Sequence, residues 1–188
     1  LFIFLGEFEY SNNGSKKLGT AEGGKKIRLL GVNYVDELKK SRAGLDEYFL
    51  KTIHHEFVHI LNQTKDYPRD FDKITPNGYV NDAWSSDERL EGYLPRGFIT
   101  NYAQKEARED FAEMVSTYIV STPEKWEAMM KQAEGTDKSG REAIEKKLAI
   151  CKLYYKENFG IDLDKVRDAV IERENDVVNG AYDLRSLN

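Results

Sequence analysis

The run His55-Glu56-Phe57-Val58-His59, flanked by Ile53 and by Ile60-Leu61, constrains this chain more than any other feature. Two histidines four residues apart lie about 40° apart around a helix axis and one turn along it, so a helix brings both imidazoles to one point from one face. No Pro or Gly interrupts Leu45 to Gln63, and that stretch is predicted to form one buried helix. Glu56 follows the first histidine directly and can lean toward the same point. The H-E-x-x-H spacing is that of a zinc hydrolase, with His55 and His59 as ligands and Glu56 as the general base acting on water in the open metal position. His54 sits about 100° further round the helix and reads as a structural or supporting residue rather than a ligand.

All three histidines of the chain fall within six residues, His54 to His59. A hydrolytic zinc site needs a third protein ligand, which here must be a carboxylate. The best source lies downstream, in the segment Asn101 to Glu113 that runs into the apolar Met114 to Val120 and reads as a second helix. Glu109 and Glu113 are one turn apart and share a face, and Ala112 is small enough to let another helix approach. One of these carboxylates is expected to ligate and the other to accept a hydrogen bond from a ligand histidine. Glu109 is the first choice as ligand, with Glu113 and Asp110 as alternatives.

The pairing of His55-Glu56-Phe57-Val58-His59 with Glu109-Asp110-Phe111-Ala112-Glu113 resembles the Glu-zincin metallopeptidases. Within them it is most similar to the group whose third ligand sits in a Glu-x-Phe-Ala-Glu helix, as in the catalytic domain of anthrax lethal factor. That group places a tyrosine seven residues before the ligand glutamate, and Tyr102 stands seven before Glu109. The resemblance implies zinc held by His55, His59 and Glu109, Glu56 as base, Glu113 in support, and Tyr102 as the phenol that steadies the oxyanion. The chain also resembles the zinc-binding metallopeptidase family of envelope lipoproteins from Gram-negative gut bacteria, often encoded near glycan-uptake genes. That likeness rests on His54 to Leu61, on Glu109 to Ser116, and on a helical tail near Ile161 to Asp164. It implies a cell-envelope location, either as an outer-membrane lipoprotein or in the periplasm.

At 188 residues the chain is expected to form a single domain, residues 1–188. Its 28 basic and 33 acidic residues give a net charge of -5 with no dense basic stripe, so nucleic acid is not expected as a partner. The one cysteine, Cys151, lies in an apolar run and reads as a packed small side chain. No apolar run reaches the eighteen or so residues of a membrane span. The chain opens on Leu1, which leaves room in the expectation for a leader or lipid anchor upstream.

Leu1 to Tyr10 alternates and predicts a strand, Ser11 to Gly24 an exposed hairpin loop, and Lys25 to Val35 a second strand. An edge strand beside the metal helix would offer its main chain to an extended peptide. Asp36 to Gly44 reads as a linker with helical character. The long connection Asn62 to Thr100 carries Pro68, Pro76, Pro95 and many aromatic residues, and is expected either to wall the cleft or to pack as an irregular cap. Thr122 caps a helix to about Ala133, Gly135 to Gly140 breaks it, Arg141 to Asn158 forms another that Gly160 closes, and Asp162 or Asp164 caps a last one to about Val178. Leu148, Tyr155, Val166, Val170 and Val177 recur at helical spacing as core positions.

The expected architecture is therefore α+β and zincin-like, a small antiparallel sheet ahead of a helix-rich C-terminal part. The expected activity is zinc-dependent hydrolysis of a peptide or protein substrate. Two other classes share these residues: a non-catalytic binding protein on the same scaffold beside a glycan-uptake system, and a structural zinc protein with a fourth protein ligand. Glu56 favours the enzyme, because neither alternative needs a base there.

Overall fold

The computed structural model describes residues 1–34, 44 and 46–181. The linker expected over Asp36 to Gly44 lies outside the described residues except for Gly44, as does Leu45. The described part is α+β, with small sheets formed by the first thirty residues and five α-helices after them. No helix among the described residues is long and apolar enough to cross a membrane.

The first sheet has the order β1-β5-β4, with β1 Phe2–Phe4, β4 Gly19–Glu22 and β5 Lys26–Leu29. It is mixed, not antiparallel throughout: β4 and β5 form an antiparallel hairpin, whereas β1 runs parallel to β5 with Phe2 opposite Ile27. The strand predicted over Leu1 to Tyr10 is in fact two, because the chain turns after Phe4 and Glu9–Tyr10 (β2) pairs instead with Lys16–Lys17 (β3). The segment expected as a loop thus supplies two strands. Their sequence hid them: Gly19-Thr20-Ala21-Glu22 has no large apolar residue, and its pairing comes from Ile27 and Leu29, which are the buried positions of β5. The second predicted strand ends at Leu29, and the backbone then folds into a 3-10 turn over Val32–Tyr34.

Helix α1 (Lys51–Asn62) is entered through a wider π-type coil, Asp46–Leu50, with no break at Leu50. It packs between β4 and β5 on one side and α2 (Ala107–Val120) on the other. Every residue from Glu109 to Val120 is buried. Phe111, the central aromatic of α2, is surrounded by Tyr67, Phe71 and Tyr154 at ring-centroid distances of 5.0 to 5.4 Å. A fully buried side chain of this size contributes about 1.5–3 kcal/mol, so α2 is the axis around which the rest is assembled. Helices α3 (Pro123–Ala133), α4 (Ser139–Phe159) and α5 (Leu163–Val178) complete the layer. Thr122 and Asp162 accept from the first free backbone N–H groups of α3 and α5, and Gly160 closes α4 in a left-handed conformation.

Two expectations are corrected here. The second helix starts at Ala107, not near Asn101, since the carbonyls of Gln104 and Lys105 accept from Val80 and Asn81 and the side chain of Gln104 binds Leu90 and Asn101. Tyr102 therefore sits in a separate 3-10 turn, Tyr102–Gln104. Leu148 and Tyr155 are buried and Val166 and Val170 pack against the core, but Val177, in the last turn of α5, is exposed. Cys151 is fully buried among these residues, and burial pushes its thiol well above the ordinary range.

Candidate metal centre

Side-by-side packing of α1 and α2 carries three donor atoms to one point. Nε2 of His59 lies 3.0 Å from Nε2 of His55, and each is 3.1 Å from Oε2 of Glu109. Around a tetrahedral zinc with bonds of about 2.0–2.1 Å, adjacent ligand atoms stand about 3.3 Å apart. The triangle matches one face of that tetrahedron to within a few tenths of an ångström. Two imidazole nitrogens and one carboxylate oxygen also match the chemistry of a three-ligand zinc site with one position left open. All three side chains are buried.

Glu113, one turn beyond Glu109, stands behind the first histidine. Its Oε1 is 2.8 Å from Nδ1 of His55. The nitrogen meets it outside ideal hydrogen-bond alignment, and Glu113 still favours the charged ring through both hydrogen bonding and charge. The other oxygen of Glu113 accepts from Thr100 Oγ1 at 2.6 Å and from Lys51 Nζ at 3.1 Å. Sequence reasoning missed both donors, although Lys51 precedes His55 by one helical turn and that spacing was a usable signal. Asp110, the other alternative ligand, points the opposite way and binds Lys147 on α4 at 2.6 Å. His54 is not part of the cluster, and burial alone lowers its pKa to about 4.

The electrostatics favour a cation at this point. Burial presses His55 toward its neutral form, yet Glu109 and Glu113 outweigh it and lift the imidazolium to about 10. Both carboxyls are in turn held well below the usual carboxylate range, against burial, by the histidines and, for Glu113, by Lys51. Burial raises the carboxyl of Glu56 to about 7, opposed by His55 and reinforced by Glu109 and Glu113. A cluster that binds a proton this tightly presents the negative potential a metal cation would meet, and metal binding there would displace that proton.

The cluster opens into a cleft of about 410 Å³, lined on one wall by Leu18 and Gly19 and on the other by Trp84, Tyr102 and Lys105. A Cβ at Gly19 would lie 2.7 Å from Cγ of Glu56, so the bare backbone of β4 at this point is what leaves the glutamate its place. Tyr102 lies beside His55, ring centroids 5.9 Å apart, with Trp84 packed edge-on against it at 4.9 Å. Burial and the nearby carboxylates hold its phenol well above the ordinary value, so it remains a proton donor at neutral pH. The long connection is split between its two expected roles: Tyr67, Phe71 and Phe98 are core, while Asp82 and Trp84 line the cleft.

A family model described as "Putative zinc-binding metallo-peptidase" matches residues 1–164. Among solved structures, a "putative zinc-binding metallo-peptidase from Bacteroides caccae" is similar at 38% identity and a TM-score of 0.75, over 89% of this chain and 61% of that one. The chain thus spans about three-fifths of the length of that protein. No curated protein matches.

Proposed function

The chain belongs to the family described as "Putative zinc-binding metallo-peptidase", and from that premise we propose that it is a zinc-dependent peptidase whose metal is held by His55, His59 and Glu109. The observation that carries the reading is the convergence of those three donor atoms at 3.0 to 3.1 Å, with His55 and the neighbouring Glu56 lining an open cleft. Zinc, when bound, supplies Lewis-acid polarisation of a carbonyl and a lowered pKa for water at the site. Glu56 takes the proton from the attacking water and carries it toward the leaving amine. Tyr102 donates its hydroxyl hydrogen bond to the oxygen that gains charge. Glu113, held by Lys51 and Thr100, fixes the ring of His55. Strand β4 is one of the two edges of its sheet and lines the cleft through Gly19, so an extended peptide can lie along it with main-chain hydrogen bonds. An envelope location, with or without a lipid anchor, belongs to the same proposal and rests on the resemblance of the sequence to envelope lipoproteins.

The test is digestion of a broad peptide library by the chain loaded with one equivalent of zinc and by the same chain stripped with a chelator. Cleavage that is lost on stripping and restored by zinc is the expected result. A loaded chain that cleaves nothing and binds a defined peptide or glycan would support the binding-protein alternative instead.

The two carboxylates of α2 separate in metal affinity. Glu109→Gln is expected to weaken zinc binding severely, because it removes an anionic ligand, whereas Glu113→Gln should cost about 10- to 100-fold in affinity or activity as the loss of a supporting partner. Competition titration against a chromophoric chelator measures both. The reverse order would make Glu113 the ligand.

A further inference from the structure

Lys105 is a cation on the wall of the cleft whose ion pair among the described contacts is with the candidate ligand Glu109. Its Nζ lies 3.4 Å from the hydroxyl of Tyr102 and 3.9 Å from Oε1 of Glu109, and its side chain is 31% exposed on the wall of the cleft. Lys51, the other lysine beside the cluster, is taken by Glu113 at 3.1 Å. Glu109 shares its charge with the metal through Oε2 on the reading above, which weakens its long pairing with Lys105 through Oε1. Lys17, on β3, is a second cation that lines the same cleft. Glu47 and Asp82 also line it, but neither forms an ion pair with Lys105 among the described contacts. A partly buried ammonium whose counterion is drawn toward a metal is stabilised when a ligand brings another, because the partly desolvated setting strengthens the pairing relative to bulk water.

We propose that Lys105 is a specificity residue that recognises a carboxylate on the substrate next to the scissile bond, so that acidic peptides are the preferred class. This rests on the peptidase reading for the position of the scissile bond. The carboxylate could be a Glu or Asp side chain, or the free C-terminus of a peptide cut near its end. Both present the same charge at Lys105, on the side of the cleft where Tyr102 meets the oxyanion. The placement runs against the global charge of the chain, which is -5, so the preference would be local and short-ranged and would weaken as added salt shortens the screening length.

The experiment compares matched peptides that differ only as Glu against Gln beside the cleaved bond, and as free acid against amide at the C-terminus, using the whole zinc-loaded chain. For the correct source the wild type is expected to favour the acid by roughly 3- to 20-fold in kcat/KM, mostly through KM, between what an exposed ion pair and a buried charged hydrogen bond contribute. Lys105→Met should bring that ratio close to one, Lys105→Arg should keep it, and Lys105→Glu should invert it toward a Lys-bearing peptide. A role limited to holding Tyr102 in place would lower both rates together and leave the ratio alone, which would overturn the proposal. Binding of the same peptides to Glu56→Gln, followed by calorimetry with and without Lys105→Met, gives a readout that needs no turnover. Cleavage with no preference for the acid overturns the role of Lys105 and leaves the peptidase reading standing. No cleavage, but Lys105-dependent binding of the acid, does the reverse.

Discussion

Glu56→Gln is expected to lower peptide turnover by a factor on the order of 10² or more while zinc content and fold stay unchanged. The substitution keeps the shape of the side chain, so its fit against Gly19 survives. Glu56 is also outside the triangle of donor atoms, so no ligand is lost. What goes is the capacity to accept a proton. Burial lifts the Glu56 carboxyl to about 7, and only its ionised form is a base, so the wild-type rate should climb with pH as that carboxyl deprotonates. A bound dication nearby favours the ionised form, which places this acid limb at or below about 7 in the loaded enzyme. Steady-state rates across pH, with zinc analysis and circular dichroism on the same samples, check each part. A variant that keeps full turnover removes Glu56 from the chemistry, and one that loses zinc makes it a ligand.

The residues of the candidate metal centre that lie on α1 were legible in the sequence because their spacing is a property of one helix. His55, Glu56 and His59 need nothing beyond a regular α1 to converge, and α1 is regular where they sit. Glu109 and Glu113 were legible for a related reason: their helix continues into Met114 to Val120, which had to be buried, so the acidic face could not be an ordinary solvated one. The supports were harder to see. Thr100 lies outside both helices, and Gly19 acts by having no side chain at a crossing that only the folded sheet creates. The sheet was misread for a physical reason too. Strands of two to four residues are too short for alternation to stand out, and the parallel β1–β5 pair joins segments that neighbouring sequence says nothing about. Asp110 was weighed as a ligand because it neighbours Glu109. On a helix that neighbour points about 100° away, toward a partner that could be named only by recognising Lys147 as an intruder in the apolar stripe of Ile144, Leu148 and Cys151.

That intruder carries the largest expected stability effect. Lys147→Met should destabilise the fold by about 3–5 kcal/mol, the usual cost of stripping one partner from a buried ion pair. Lys147 and Asp110 are both 0% exposed, and the ammonium donates to Asp110 Oδ2 at 2.6 Å and to the carbonyl of Gly97 at 2.8 Å. It also lies 4.1 Å from the ring centroid of Phe98. Burial raises the Asp110 carboxyl to about 6 even though Lys147 and Tyr79 hold it down, and burial lowers the Lys147 ammonium although Asp110 holds it up, so each favours the charged form of the other. Methionine fills nearly the same volume, which keeps the cavity contribution small and leaves a buried carboxyl that must either stay charged without its partner or take up a proton, with only the hydroxyl of Tyr79 at 3.0 Å. At roughly 2–4 °C per kcal/mol for a chain of this size, the melting temperature should fall by about 10 °C. Adding Asp110→Asn should recover part of the loss, because the residue left behind no longer carries a charge, and the double-mutant cycle then reads the coupling directly. A cycle with no coupling would mean that the two charges are screened from each other. The same pair locks the rotation of α2, holding Asp110 toward α4 and therefore Glu109 and Glu113 toward α1, so the folded fraction of Lys147→Met should also bind zinc more weakly than wild type.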